Sequence, residues 1–199
     1  MLTVNSRTAD HKIDPIFLER WSPRAFNGEP ISDADLHVLF EAARWAPSSY
    51  NSQPWRFLYA RRDTPNWPKF LGLLNEFNQG WAKNAAAIVV LLSKKTMLPP
   101  GADKWVPSHS HSLDAGAAWS YLALQGARSG FITHAMVGID LAKTATELKV
   151  PEDDYRVEMA FAIGKQGDKS ILPEALQARE VPNSRNPQAQ FCFEGDFPG

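Results

Sequence analysis

Between Ser32 and Pro47 the apolar residues Leu36, Leu39, Phe40 and Ala43 recur at helical spacing, so one face is apolar and an amphipathic helix is predicted. Ser32 and Asp35 form a capping-box pattern at its start, and Pro47 stops it. Upstream, Asp14-Pro15 reads as N-cap and first helical residue of a short helix over 16–20, ended by Ser22-Pro23 because the residue before proline avoids the α region. Residues 55–60 are aromatic and apolar and predict a strand, 69–77 a helix, and the apolar run 85–93, flanked by polar residues, a buried strand. The Ala- and Leu-rich stretch 111–127 predicts the central helix, closed by Gly130. Residues 131–137 read as a loop with strand character. Asp140 caps a short helix that ends before Pro151, and 155–163 alternate as a strand.

Residues 1–12 are polar and expected to fray. From Gly164 onward periodicity is lost, with prolines at 173, 182, 187 and 198 and phenylalanines at 191, 193 and 197. These rings either pack on the chain's own core or on a partner subunit. There is no internal repeat and no low-complexity run. Helices with interspersed strands, without strict β-α-β alternation, point to an α+β fold with a mixed central sheet. The expected organisation is a single domain over 1–199, with residues 165–199 as an extended C-terminal arm.

The 199 residues are 44% hydrophobic, enough for a packed core, and 22% charged. A formal net charge of −1 argues against a nucleic-acid or anionic-membrane partner. The single cysteine, Cys192, supports neither an internal disulfide nor a Cys-based zinc cage. Lying in Phe191-Cys192-Phe193, it is expected to be a packed small hydrophobe. With no basic-then-apolar N-terminal signal and no apolar run near the about 20 residues of a membrane span, a soluble, cytoplasmic protein is expected.

Much familiar chemistry is missing. There is no G-x-G-x-x-G after a strand, no Walker A loop, no H-E-x-x-H and no G-x-S-x-G elbow. His109, His111 and Asp114 can be drawn as metal ligands, but they match no standard spacing, and a polar loop entering a helix N-terminus gives the same pattern. No metal is expected.

Two segments stand out. In Arg20-Trp21-Ser22-Pro23-Arg24, alternate side chains of an extended chain point the same way, so Arg20, Ser22 and Arg24 either converge on a phosphate-like anion or form a surface turn capped by Ser22. In the loop 46–55, the hydroxyls of Ser48 and Ser49 and the amides of Asn51 and Gln53 supply donors and acceptors suited to a flavin or base edge; an ordinary turn has the same composition.

Together, the R-x-S-x-R segment at 20–24 and the P-S-S-x-N-x-Q-P-W segment at 47–55 resemble the nitroreductase family in order and spacing. So do Trp81-Ala82-Lys83-Asn84-Ala85 before the buried strand, Asp114-Ala115-Gly116-Ala117-Ala118 in the central helix, His134-Ala135-Met136-Val137-Gly138-Ile139-Asp140, and Ser184-Arg185-Asn186-Pro187, which is similar to the family's R-K-P. The resemblance runs from about Ile16 to Phe193. It implies a homodimer with FMN at the subunit interface and a C-terminal arm embracing the partner. By resemblance, Arg20, Ser22, Arg24 and Arg185 hold the FMN phosphate, with Trp21 inside the same motif. Pro47, Ser48, Ser49 and Asn51 line the flavin from one subunit, and Gln53 reaches the ring or its ribityl chain. Asn78 touches the pyrimidine edge. Ala135, Met136 and Gly138 pass beside the ring, with a backbone N–H of Val137 or Gly138 near N5. The implied activity is electron transfer from NAD(P)H to nitroaromatics, quinones or similar acceptors by a ping-pong scheme. No protein residue is catalytic, because the flavin carries the chemistry. A flavin-binding or storage protein without turnover is the alternative. Two positions depart from the pattern: Asn186 replaces a lysine and Val137 a glutamate. The loop 94–107, long and containing Trp105, is read as a cover over the ring.

Overall fold

The computed structural model describes residues 5–198; residues 1–4 of the stretch expected to fray lie outside them. In chain order the helices are α1 (Ile16–Glu19), α2 (Asp33–Arg44), α3 (Trp67–Gly72), α4 (Glu76–Ala82), α5 (His111–Arg128), α6 (Leu141–Glu147) and α7 (Glu174–Gln177). The strands are β1 (Trp55–Arg61), β2 (Ala87–Lys94), the two-residue β3 (Thr96–Met97) and β4 (Val106–Pro107), then β5 (Ile132–Met136) and β6 (Tyr155–Gly164). The central sheet has the order β1-β2-β6-β5.

Alternation along β2 explains its continuous apolar run. Ile88, Val90 and Leu92 enter one core with Phe70, Trp81, Met136, Ala145 and Leu176. Ala87, Val89 and Leu91 enter the other, against Leu36, Leu39 and Ala43 of α2 and Ala115, Ala118 and Leu122 of α5. Helices thus cover both faces of the sheet, and a strand buried on both sides has no polar positions to spare. Ser32 caps α2, its side chain accepting from the Asp35 N–H, and Asp140 caps α6 in the same way through Lys143 N–H.

The α+β class stands, but the sheet is antiparallel at every adjacent pair where a mixed one was expected. The crossover β2-α5-β5 does set β2 and β5 in the same direction. β6 inserts between them, so they are never neighbours. The helix expected over 69–77 is two helices. Leu73 and Leu74 turn inward at the break, Leu73 O accepting from Asp140 N at 2.9 Å, and Asn75 caps α4. Residues 132–136 form a full edge strand. Part of the expected loop 94–107 is a small hairpin, β3 with β4.

Cys192 is exposed, against the expectation of packing. The rings around it, Phe191, Phe193 and Phe197, are 64%, 44% and 83% exposed, so the arm has no core beneath its end to receive them. Among the described residues no helix is long and apolar enough to cross a membrane.

Candidate functional site

The chain leaves α1 at Arg20 in an extended conformation. The Arg20 Nη1 lies 3.4 Å from Ser22 Oγ, to which it donates. Two other guanidiniums converge on it. Arg7 donates through Nη1 to the backbone oxygens of Leu18 and Arg20, at 3.1 and 2.8 Å, and through Nε to Asn183 O at 2.7 Å. Arg185, on the arm, borders the same crevice of about 410 Å³ as Arg7. Burial and then the charge of Arg185 lower the pKa of Arg20; burial, Arg185 and then Arg20 lower that of Arg7. Among the described residues none of the three pairs with a carboxylate. Three cations held together without a carboxylate partner are chemically suited to receive an anion. Trp21 and Arg20 also line a cavity of about 460 Å³ against Ala127, Gly130 and Lys165, at the C-terminal end of α5.

Arg24 does not join this group. Its Nη1 lies 3.9 Å from the Glu180 carboxylate, and that carboxylate and Arg179 are its charged neighbours. Its backbone belongs to a segment that is tightly held. The Glu180 Oε1 accepts the N–H groups of Arg24 and Ala25 at 2.6 and 2.8 Å. His134, on β5, donates from Nδ1 to Pro23 O at 2.9 Å. Because a carbonyl only accepts, that nitrogen carries the proton. Burial, the largest cause, pushes the His134 pKa down to about 4; bonds to Pro23 and Ser22 oppose this, and the charges of Arg24 and Arg20 add to it. The ring stands 4.7 Å from that of Trp81.

Farther along β5, Ala135 and Met136 lead to Val137, which is 87% exposed, and to Gly138. Asn78 is buried and donates through Nδ2 to Gly138 O at 3.2 Å. The structure therefore brings Asn78 and Gly138 together. A Cβ at position 138 would come within 2.5 Å of Asn78 Nδ2 and closer still to Asn75 Nδ2. Asn75 caps α4 and Asn78 is committed to Gly138, so neither amide moves freely. The variant Gly138→Ala is expected to lose roughly 1–3 kcal/mol of stability, read as a lowered urea midpoint. An unchanged midpoint would show that the amides swing aside at no cost.

The loop carrying Pro47, Ser48, Ser49, Asn51 and Gln53 sits at the other end of α5. Ser49 N–H donates to Asp114 Oδ2 at 3.2 Å, and Ser110 Oγ donates to the same oxygen at 3.0 Å. The loop folds on itself through Gln53 N–H to Ser48 Oγ, and Tyr50, Asn51 and Gln53 all adopt left-handed φ. Three such residues so close together are costly and mark a shaped loop. Asp114 lies one turn into α5 and Ala127 near its end, which at 1.5 Å per residue separates them by about 20 Å. The loop and the Arg20 cluster are thus not brought together within one chain. The hairpin of β3 and β4 shares the loop's end of the sheet, where Lys94 N–H donates to Pro54 O. There Lys94 Nζ sits 3.4 Å above the Trp105 ring.

His109, His111 and Asp114 do not assemble as ligands. His111 Nδ1 meets Ser93 Oγ at 2.7 Å, Asp114 anchors the loop, and no group of three metal-ligating side chains is found among the described residues. Sequence reasoning missed Arg7 and Glu180 altogether, and it missed the buried role of His134. Arg7 meets a partner 176 positions away and Glu180 one 156 positions away, so neither carries a local signal.

Comparison with known proteins bears on this arrangement. The sequence profile of the Nitroreductase family matches residues 18–66, a span that holds both the Arg20–Arg24 segment and the 47–55 loop. A solved structure described as the oxidoreductase containing FMN is 46% identical, covers 100% of both chains and superposes with a TM-score of 0.93. Curated relatives from Rhodopseudomonas palustris and Streptomyces coelicolor, both named provisionally as NADH dehydrogenase/NAD(P)H nitroreductase, are 31% and 34% identical over 58 and 76 residues. Those stretches are 29% and 38% of this chain and cover only 30% and 37% of the relatives' own length.

Proposed function

The chain belongs to the nitroreductase family, and from that membership we propose that it is an FMN-dependent oxidoreductase carrying electrons from NAD(P)H to small oxidised acceptors such as nitroaromatics or quinones. The observation that carries this reading is the convergence of Arg20 and Arg185, without a carboxylate partner, beside Ser22, on a segment that His134 of β5 holds through Pro23 O, with the Asn78–Gly138 contact just past the end of that strand. The residues fit the cofactor. A phosphate dianion would relieve the mutual repulsion of the guanidiniums, and Arg24 Nε and Trp81 Nε1 are buried without a partner near His134. When bound, FMN would supply the hydride and electron-transfer chemistry between NAD(P)H and the acceptor.

The protein's own work is to bind, orient and exclude water. Arg20 and Arg185 offer forked donors to the phosphate, Ser22 adds a hydroxyl, and Asn78 and the Gly138 backbone fix the ring edge. The loop 47–53 is anchored at Asp114 and Arg20 lies beside Ala127, positions about 20 Å apart along α5, too far for both to line one ring from a single chain. A homodimer with FMN between subunits, each supplying the loop to the other's cluster, satisfies both. Leu113 and Tyr121 on α5, Trp45 just past α2, and the three phenylalanines of the arm are exposed in the single chain and suit such an interface. Trp105 and Val137 then bound the acceptor side, and a cytoplasmic location fits the reading.

The purified protein incubated with FMN is expected to retain it through gel filtration, running as a dimer. Its flavin absorbance is expected to bleach anaerobically with NADH or NADPH and to return on adding menadione or a nitroarene. Protein that stays colourless sinks the proposal, and flavin that binds but never bleaches makes the chain a flavin carrier instead.

A further inference from the structure

We propose that Arg7 is a positioning residue of the flavin-phosphate site, clamping the two segments that carry Arg20 and Arg185 and adding a third positive charge to them. The inference rests on the reading of that site given above. Arg7 precedes the 20–24 motif and belongs to no motif of its own. Its guanidinium joins three backbone oxygens from two distant parts of the chain. Leu18 O and Arg20 O are at the C-terminal end of α1, and Asn183 O lies two residues before Arg185 on the arm. Carbonyls at the end of a helix carry partial negative charge and take a cation well. By spanning them, Arg7 fixes the separation of the α1 end and the arm, and with it the distance between Arg20 and Arg185.

The charge matters as well as the geometry. Arg7 is partly buried and feels both Arg185 and Arg20, so folding brings three like charges together, and burial already disfavours the charge of Arg7 and Arg20. The carbonyls account for the clamp; the surplus of positive charge beside Arg20 and Arg185 is what an anion would offset. The arm also offers Asn186 where the resemblance calls for a lysine, and Arg7 restores the missing positive charge from the opposite end of the sequence.

The test uses the full-length protein and compares FMN with riboflavin, which has the same ring and no phosphate, by flavin fluorescence titration. Arg7→Gln keeps a side-chain donor and removes the charge; Arg7→Lys keeps the charge. FMN affinity is expected to fall roughly tenfold in Arg7→Gln, equivalent to about 1.4 kcal/mol, and to stay within about threefold of the parent in Arg7→Lys, with riboflavin affinity unchanged in both. Equal losses for FMN and riboflavin would reduce Arg7 to a scaffold residue and overturn the proposal. So would unchanged FMN affinity in Arg7→Gln, or an equally weak Arg7→Lys. Arg20→Ala is the control for the underlying reading. If it lowers FMN affinity while Arg7→Gln does not, only the role of Arg7 fails. If Arg20→Ala also binds FMN as the parent does, the phosphate site itself is misplaced.

Discussion

Glu180→Ala is expected to destabilise the protein by about 3–5 kcal/mol, the range for removing one partner of a buried, hydrogen-bonded charge. Glu180 is 1% exposed, and its Oε1 is the acceptor for two consecutive backbone N–H groups, those of Arg24 and the fully buried Ala25. Alanine leaves both N–H groups without that acceptor and strips the Arg24 guanidinium, whose side chain is only 16% exposed, of the carboxylate 3.9 Å away. Each orphaned buried donor costs about 1–3 kcal/mol. For a chain of this size the melting temperature should drop by roughly 6–20 °C. Glu180→Gln keeps an oxygen for the two N–H groups and loses only the charge, so its drop should be about half as large. A fall of less than about 2 °C in Glu180→Ala would show that the 20–25 segment does not depend on the arm. FMN affinity should fall with stability, because the segment that Glu180 holds is the one that presents Arg20 and Ser22.

Most of the framework is legible in the sequence because its signals are local. Ser32 before Leu36, Leu39 and Ala43 announces α2 down to its capping bond, and the uninterrupted apolar run of β2 announces a strand covered on both faces. The strand order is not legible. β6 comes last in the sequence yet inserts between β2 and β5, and its alternation does not record which neighbours it will have. The break between α3 and α4 escapes because Leu73 and Leu74 continue the apolar pattern. They do so by turning into the core at a junction tied to Ile139 and Asp140, 65 or more residues away.

The site divides along the same line. Arg20, Ser22 and Gly138 are marked by their motifs, Asn78 by none, and the Arg20–Ser22 and Asn78–Gly138 pairs do meet. Grouping Arg24 with Arg20 rests on alternate side chains sharing a face. That accounts for geometry and omits competition: a buried carboxylate from the arm takes Arg24 first. Arg7, Glu180 and His134 show the converse. Each acts through a bond to a backbone atom more than ten residues away, and a backbone atom leaves no mark in the sequence.

His134 gives the second large effect, a dependence of stability on pH. Its pKa falls from 6.5 to about 4 on folding, chiefly because burial disfavours the charged ring. A base with a lowered folded pKa stays neutral in the native state while the unfolded chain takes up a proton. The contribution is therefore fully present above about pH 6.5, is lost progressively as the pH falls toward 4, and levels off below that. The loss is about 2 kcal/mol by pH 5 and about 3 kcal/mol at pH 4, because a tenfold change in proton binding is worth about 1.36 kcal/mol. Urea unfolding between pH 7.5 and 4.5 reads the effect. His134→Asn places an amide N–H near the Nδ1 position and does not titrate, so its stability should fall less steeply than the parent's, the two curves diverging below pH 6.5. Parallel curves through that window would mean that the ring is protonated in the native state too, and that the segment carrying Arg20, Ser22 and Arg24 is not held by a neutral histidine.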